Sequence, residues 1–230
     1  MPDNLTVELP NLPQGAGAMA NDLPLLGVTV LAVEDSRFAS EALRLICRRL
    51  GARLRRAESL QAAASHLKLY RPDVVIVDLG LPDGRGEALI RDLAGRLPRG
   101  VVLGMSGDAA GRALAIEAGA DGFVDKPLES VSAFRALLLR LLPAHAGTAV
   151  EAADTGLAPD RLALRDDLAR AAALLDHAMG ETTQAYVAGF VRGVAQHAHD
   201  AALASARPED LRALLRDRLD RPDHAFDKLR

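Results

Sequence analysis

Val74-Val75-Ile76-Val77 is a run of four aliphatic residues that ends on Asp78 and then turns into Leu-Gly-Leu-Pro-Asp-Gly. A strand with no polar alternation is buried on both faces, as at the centre of a parallel sheet covered by helices on both sides. Asp78 then stands at the carboxyl end of that strand, the edge on which open α/β sheets gather ligands and chemistry.

The chain on either side repeats the pattern. Residues 28–33 read as a first strand, and Ser36 is placed to cap a helix reaching residue 50, where Gly51 is a natural stop. Residues 53–57 are charged and suit only an edge strand. Ser59 opens a second helix to about residue 70, broken by Arg71-Pro72. Residues 87–97 read as a helix, 101–105 as a strand, 109–118 as a helix closed by Gly119, 122–124 as a short strand, and 131–142 as a last helix. Five strands alternating strictly with five helices predict an α/β domain, a flavodoxin-like doubly wound sheet of five parallel strands.

Outside that domain the texture changes. Residues 1–24 carry Pro2, Pro10, Pro13 and Pro24 with Gly15 and Gly17, show no sustained period, and read as a flexible N-terminal arm. The α/β domain is expected over residues 25–142, and residues 143–159, rich in Ala, Gly, Pro and Thr, as a linker. Residues 160–230 contain no strand-like run and predict a small all-α region, with helices near 160–179, 181–206 and 209–220. Leu162, Leu168, Leu174 and Leu175, then Tyr186, Val187, Phe190, Val191 and Val194, form apolar stripes at helical spacing. Alone they bury too little for a robust core, so they are expected to pack on the α/β domain, a second copy or a partner.

Composition excludes several classes. A net charge of -3 leaves no basic footprint for sequence-independent nucleic-acid binding. No apolar run is long enough to span a bilayer and no leader pattern opens the chain, so a cytoplasmic protein without membrane contact is expected. The single cysteine, Cys47, rules out an internal disulfide or a cysteine metal cluster, and its neighbours Leu45, Ile46 and Leu50 predict a half-buried thiol on a helix face.

The ends of the predicted strands carry the chemistry. The first ends in Glu34-Asp35, the third in Asp78, the fourth in Met105-Ser106-Gly107, and the fifth runs into Asp125-Lys126-Pro127. Neighbouring parallel strands bring their carboxyl ends together, so Glu34, Asp35, Asp78, Ser106 and Lys126 are expected to converge. Three buried carboxylates repel one another and need cations. Lys126 supplies one charge, and an oxygen-ligated Mg²⁺ suits the remainder. Beside a metal and a lysine, Asp78 is fitted to accept a phosphoryl group as an acyl phosphate, with the Ser106 hydroxyl within reach of a phosphoryl oxygen.

These motifs, VEDS, VDLGLPDGRG, MSGD and DGFVDKP in that order, resemble the receiver domain of two-component response regulators (CheY-like) over about half of the chain. The resemblance implies that Asp78 is the phosphoacceptor and that Glu34, Asp35 and the main-chain carbonyl of Gly80 join it around Mg²⁺. It further implies that Ser106 is the switch hydroxyl, that Lys126 contacts the phosphoryl group, and that the Lys126-Pro127 peptide is cis. Phe123 falls at the switch-aromatic position or simply fills the core of an aromatic-poor chain. Gly80 and Gly107 are small where receivers often carry side chains that tune the approach of the hydrolytic water.

A phosphorylation-dependent switch in a phosphorelay is therefore expected rather than an enzyme, catalysing at most its own phosphorylation and dephosphorylation. The expected partners are a sensor histidine kinase or phosphotransfer protein, and a second copy through the helical tail. The basic residues of the tail do not cluster, so no DNA binding is expected and signalling through protein contacts of the tail is preferred. Two alternatives stand beside this. One is an aspartyl-phosphate phosphatase or phosphotransferase, disfavoured because Gly80 occupies the place of its second acid. The other is a histidine-phosphotransfer-like tail using His197 or His199, in QHAHDAALA, which lacks the usual Lys-Gly. His177 needs no role beyond its place near a helix end.

Overall fold

The computed structural model describes residues 23–128, 130–143, 160–177 and 180–220. The proposed arm, apart from its last two residues, and the proposed linker, apart from Pro143, lie outside them.

Seven strands and five helices build the α/β part: β1 (Thr29–Val33), α1 (Arg37–Leu50), β2 (Arg53–Ala57), α2 (Leu60–Leu69), β3 (Val74–Asp78), β4 (Gly80–Leu81), β5 (Gly84–Arg85), α3 (Gly86–Ala94), β6 (Val101–Ser106), α4 (Gly111–Glu117), β7 (Gly122–Asp125) and α5 (Val131–Leu141). Five of the strands form one parallel sheet in the order β2-β1-β3-β6-β7, with the charged β2 at an edge and the apolar β3 in the middle, as the sequence pattern demands. Every residue of β3 is buried. Val30, Ala32 and Ile76 face α1 and α5 on one side, while Leu31, Val33, Val75 and Val77 face the other with Ile90 and Ala115 of α3 and α4.

Local signals place the helices well. Ser36 caps α1 by accepting from the Ala39 N–H, and Gly51 closes it with φ 87°, a left-handed conformation that costs glycine nothing. Cys47 on that helix is fully buried rather than half-buried, and burial raises its thiol pKa to about 12. The helix expected to reach residue 97 stops at Ala94, followed by Gly95 and a cis Leu97-Pro98 peptide. The short β4–β5 hairpin was not anticipated, since two-residue strands show no period to detect. It folds back on Asp78: a Cβ at Gly86 would lie 2.0 Å from the Asp78 carbonyl oxygen, so only glycine fits the return.

The described residues of the C-terminal part form four helices joined by turns: α6 (Arg161–His177), α7 (Glu181–His197), α8 (Ala201–Ala204) and α9 (Leu211–Asp220). The helix expected over 181–206 breaks after His197, where His199 takes φ 52° and Asp200 caps α8 through the Leu203 N–H. Leu164, Leu168, Val187, Val191, Val194 and Leu215 form a core of their own. Phe38 of α1 belongs to that core, so the helices pack on the α/β domain.

Candidate functional site

The predicted residues converge. Glu34 and Asp35 follow β1, Asp78 ends β3, Ser106 ends β6 and Lys126 follows β7, all at the carboxyl edge of the sheet. Adjacent strands hold them in step: the Lys126 N–H donates to the Ser106 carbonyl at 2.9 Å, and Asp78 stands opposite Met105 in the β3–β6 register. The Lys126-Pro127 peptide is cis, as the resemblance implied.

Lys126 Nζ bridges two carboxylates, 2.6 Å from Glu34 Oε2 and 2.8 Å from Asp78 Oδ2, with its side chain only 7 % exposed. Glu34 Oε1 accepts from the Ser36 N–H at 3.0 Å, and Asp78 Oδ1 accepts from the Gly80 N–H at 3.2 Å. Arg56, reaching across from β2, donates to the main-chain carbonyls of Glu34 and Asp35 at 3.0 and 2.6 Å. Glu34, Asp35 and Asp78 each offer a carboxylate oxygen within 4.8 Å of the others.

Burial decides the electrostatics. Desolvation drives the Glu34 pKa well above the usual carboxylate range; Lys126 opposes this, while Asp78 and Asp35 add to it. Asp35 is pushed up to about 6, again by burial first, against the hydrogen bond from Tyr186. Burial works against the Lys126 ammonium, yet Asp78 and Glu34 outweigh it and its pKa is raised. Asp35 Oδ1 is buried with no hydrogen-bond partner among the described residues. One ammonium among three carboxylates, with an orphaned oxygen turned inward, is a donor set matched to a hard divalent cation.

The helical region closes over this edge. Asp167 of α6 sits at the start of α1, accepting from Ser36 Oγ at 2.8 Å and from the N–H groups of Arg37 and Phe38 at 3.1 and 3.0 Å. Arg170 donates to the Asp35 carbonyl at 3.1 Å, and the Tyr186 hydroxyl of α7 donates to Asp35 Oδ2. Between α7 and the sheet edge lies a cavity of about 520 Å³, bordered by Asp78, Ser106, Lys126, Tyr186, Gln196 and His197 among others. Asp167, Arg170, Tyr186 and Gln196 were not singled out for a role at the site. Tyr186 lies in the apolar stripe of α7, and the signal for Asp167 is a carboxylate on the face that Leu164, Leu168 and Ala171 bury.

The remaining candidates fall as follows. Phe123 is buried under the Arg112 guanidinium, 5.0 Å from ring centroid to cation, next to Gly111 and within reach of the strand carrying Ser106. Ser106 Oγ accepts from the Asp108 N–H at 3.1 Å, which leaves its proton to donate elsewhere. Gly80 borders the cavity. His197 is half-buried, stacked edge-on to Phe38 at 6.3 Å, and its pKa is lowered to about 4 by burial and by Lys126. That is unlike a histidine presented to a partner on an open helix face. His177 is exposed, with Nδ1 2.8 Å from the Ala173 carbonyl.

Comparison with known proteins follows the same division. Residues 30–138 match the family described as "Response regulator receiver domain". The chain is 36% identical over 121 residues to the KDP operon transcriptional regulatory protein KdpE of Escherichia coli (strain K12), covering 52% of this chain and 53% of that protein. It is 37% identical over 83 residues to the DNA-binding transcriptional activator DevR/DosR of Mycobacterium tuberculosis (strain ATCC 25618 / H37Rv), covering 35% and 38%. Among solved structures, the signal receiver domain of a signal transduction histidine kinase from Syntrophus aciditrophicus is 29% identical, with a TM-score of 0.47, covering 55% of this chain and 98% of that one. The chain spans about half the length of E. coli KdpE and less of DevR/DosR. These names overturn the expectation that DNA has no part: both relatives are transcriptional regulators, and one is DNA-binding by name. Net charge and the lack of a basic cluster were too coarse a test, because base readout rests on a few side chains placed in a groove. Among the described residues no helix is long and apolar enough to cross a membrane.

Proposed function

Residues 30–138 are a response regulator receiver domain, and from that premise we propose that the protein is a phosphorylation-dependent switch that takes a phosphoryl group on Asp78 from a two-component phosphodonor. The observation that carries this is Lys126 Nζ held between Glu34 and Asp78, with Asp35 completing a buried acidic set at the carboxyl edge of β3.

An Asp78 carboxylate oxygen attacks the phosphorus of a phosphohistidine; the P–N bond breaks and its electron pair stays on the donor imidazole. Lys126 fixes Asp78 in place and offsets charge on the transferring group. The Ser106 hydroxyl donates to a phosphoryl oxygen once it has arrived. Mg²⁺, held by the carboxylates of Glu34, Asp35 and Asp78 and the Gly80 carbonyl, would neutralise the phosphoryl oxygens. Ser106 and Phe123 then shift.

The output runs through the helical region. A phosphoryl group on Asp78 adds volume and charge to the cavity that Tyr186 and Gln196 border, so the docked and undocked arrangements of α6 and α7 differ in their interaction with it. That difference is what moves a two-state equilibrium. Surfaces of α6 and α7 released or rearranged in this way would contact the next protein in the pathway.

Mass spectrometry of the protein after acetyl phosphate tests the first step. The native chain is expected to gain one phosphoryl group in the presence of Mg²⁺, and neither Asp78→Ala nor the native chain without Mg²⁺ should gain any. Absence of uptake by the native chain, or uptake that survives in Asp78→Ala, would end this proposal.

A further inference from the structure

Gln196 of α7 places its side-chain amide against Gly107, the residue that directly follows Ser106. A Cβ built on Gly107 would lie 2.1 Å from Gln196 Oε1, so the amide stands where the side chain of residue 107 would otherwise be. Gln196 Oε1 is buried and has no hydrogen-bond partner among the described residues. It borders the same cavity as Asp78, Ser106 and Lys126, and a space of about 520 Å³ holds several water molecules. Buried amide oxygens are rarely left without a donor, and here a water molecule is the donor the cavity can supply.

We propose that Gln196 is a water-positioning residue supplied in cis by the helical region, and that it sets the lifetime of the phosphorylated state. This rests on Asp78 carrying the phosphoryl group. Gly107 and Gly80 present no side chain to the cavity, and Asp108, which borders it, has Oδ1 engaged by the Ala110 N–H at 2.9 Å; Gln196 occupies the place beside Gly107 from another element. Its amide oxygen accepts a hydrogen bond from the water, which turns a water lone pair toward the phosphorus. The water oxygen forms the new P–O bond as the bond to the Asp78 carboxylate breaks. The electron pair remains on the carboxylate, and phosphate departs with both water protons. No oxidant, reductant or further reactant is needed. Ordering one nucleophile in this way is a large lever on rate. A glutamine that orients the attacking water serves the same chemical purpose in GTP hydrolysis.

The inference is tested on the whole 230-residue chain. Protein phosphorylated with acetyl phosphate and Mg²⁺ is freed of donor, and the loss of phosphoryl is followed for the native chain, Gln196→Ala and Gly107→Ala. In Gly107→Ala the new methyl displaces the amide while Gln196 itself is kept. Amide hydrogen exchange at Arg37 and Phe38 reports in parallel whether α6 stays docked on α1. Both variants are expected to take up the phosphoryl group and to hold it about tenfold longer or more than the native chain, with docking intact. An unchanged or shorter lifetime in Gln196→Ala would overturn the inference, and so would a longer lifetime accompanied by loss of the exchange protection, which would make Gln196 merely structural. Failure of the native chain to take up a phosphoryl group would instead remove the phosphoacceptor role of Asp78, and this inference with it.

Discussion

Lys126 illustrates how a single residue can hold a site together that would otherwise fly apart. Removing Glu34, Asp35 and Asp78 from water is costly, and Lys126 offsets part of the cost while keeping two of them in a fixed relation. The deficit that remains has a measurable consequence. Glu34 and Asp35 bind protons more tightly in the folded chain than in the unfolded one, where their values are about 4.3 and 3.9. At these two groups the unfolded state binds fewer protons, so their contribution to stability falls as pH rises; His197, lowered to about 4, works the other way between about pH 4 and 6.5, and the two raised carboxylates together outweigh it. For Asp35 this contribution is fully present below about pH 4 and is lost as pH rises through about 6. Urea unfolding without divalent ions is expected to show a native chain less stable at pH 8 than at pH 5, the share due to Asp35 being on the order of 1 kcal/mol. Asp35→Asn and added Mg²⁺ should each reduce the slope, and a slope indifferent to both would contradict the electrostatic account of the site. Tyr186 belongs to the same scale: its hydroxyl occupies one oxygen of Asp35, so the acidic set is already engaged by α7.

At the scale of elements, the start of α1 is the junction. A helix leaves its first N–H groups without partners, and here Ser36 and Asp167 divide them. Ser36 is local and was legible as a cap. Asp167 comes from α6, more than a hundred residues away, and adds a negative charge at the positive end of the helix. Asp167→Ala is expected to cost about 1–3 kcal/mol, since charged acceptors of backbone N–H groups contribute more than neutral ones. The loss should appear as faster amide exchange at Arg37 and Phe38 together with weaker docking of α6, while the parallel sheet stays intact. Protection unchanged in that variant would mean that the contact contributes nothing. Element ends were where periodicity was least informative. Helix α3 stopped early and the long helix predicted near residue 200 broke, in both cases where the chain leaves a repeating pattern for a specific turn.

On the scale of the whole molecule, the candidate site lies between two hydrophobic cores rather than at the rim of one. The apolar layers on the two faces of the sheet together make the first, and α6, α7, α8 and α9 form the second with Phe38 of α1 inserted into it. The two cores meet at Phe38 and at the hydrogen bonds that Asp167, Arg170 and Tyr186 make to the start of α1 and to Asp35, and they are expected to unfold together and to separate when the apolar part of that joint is removed. Phe38→Ala, a truncation of a kind that costs about 3–5 kcal/mol in well-packed cores, should split the calorimetric transition of the native chain in two, with the helical region melting first. A single transition at an unchanged temperature would show that the two cores are held by other contacts.

How far the sequence reached follows from the range of the forces involved. The five-stranded α/β architecture, the placement of Glu34, Asp35, Asp78, Ser106 and Lys126 on one edge, and the caps at Ser36 and Gly51 were all readable, because each rests on local periodicity, on residues near in the chain, or on the rule that parallel strands share an end. What only the tertiary structure decided is that α6 and α7 fold back over that edge, so that Asp167, Arg170, Tyr186 and Gln196 reach the acidic set or the cavity beside it. Those residues lie in ordinary amphipathic helices, whose apolar stripes state that a face must be covered and leave open by what. The answer depends on shape and charge matched across more than a hundred residues of chain, and no local pattern carries that information.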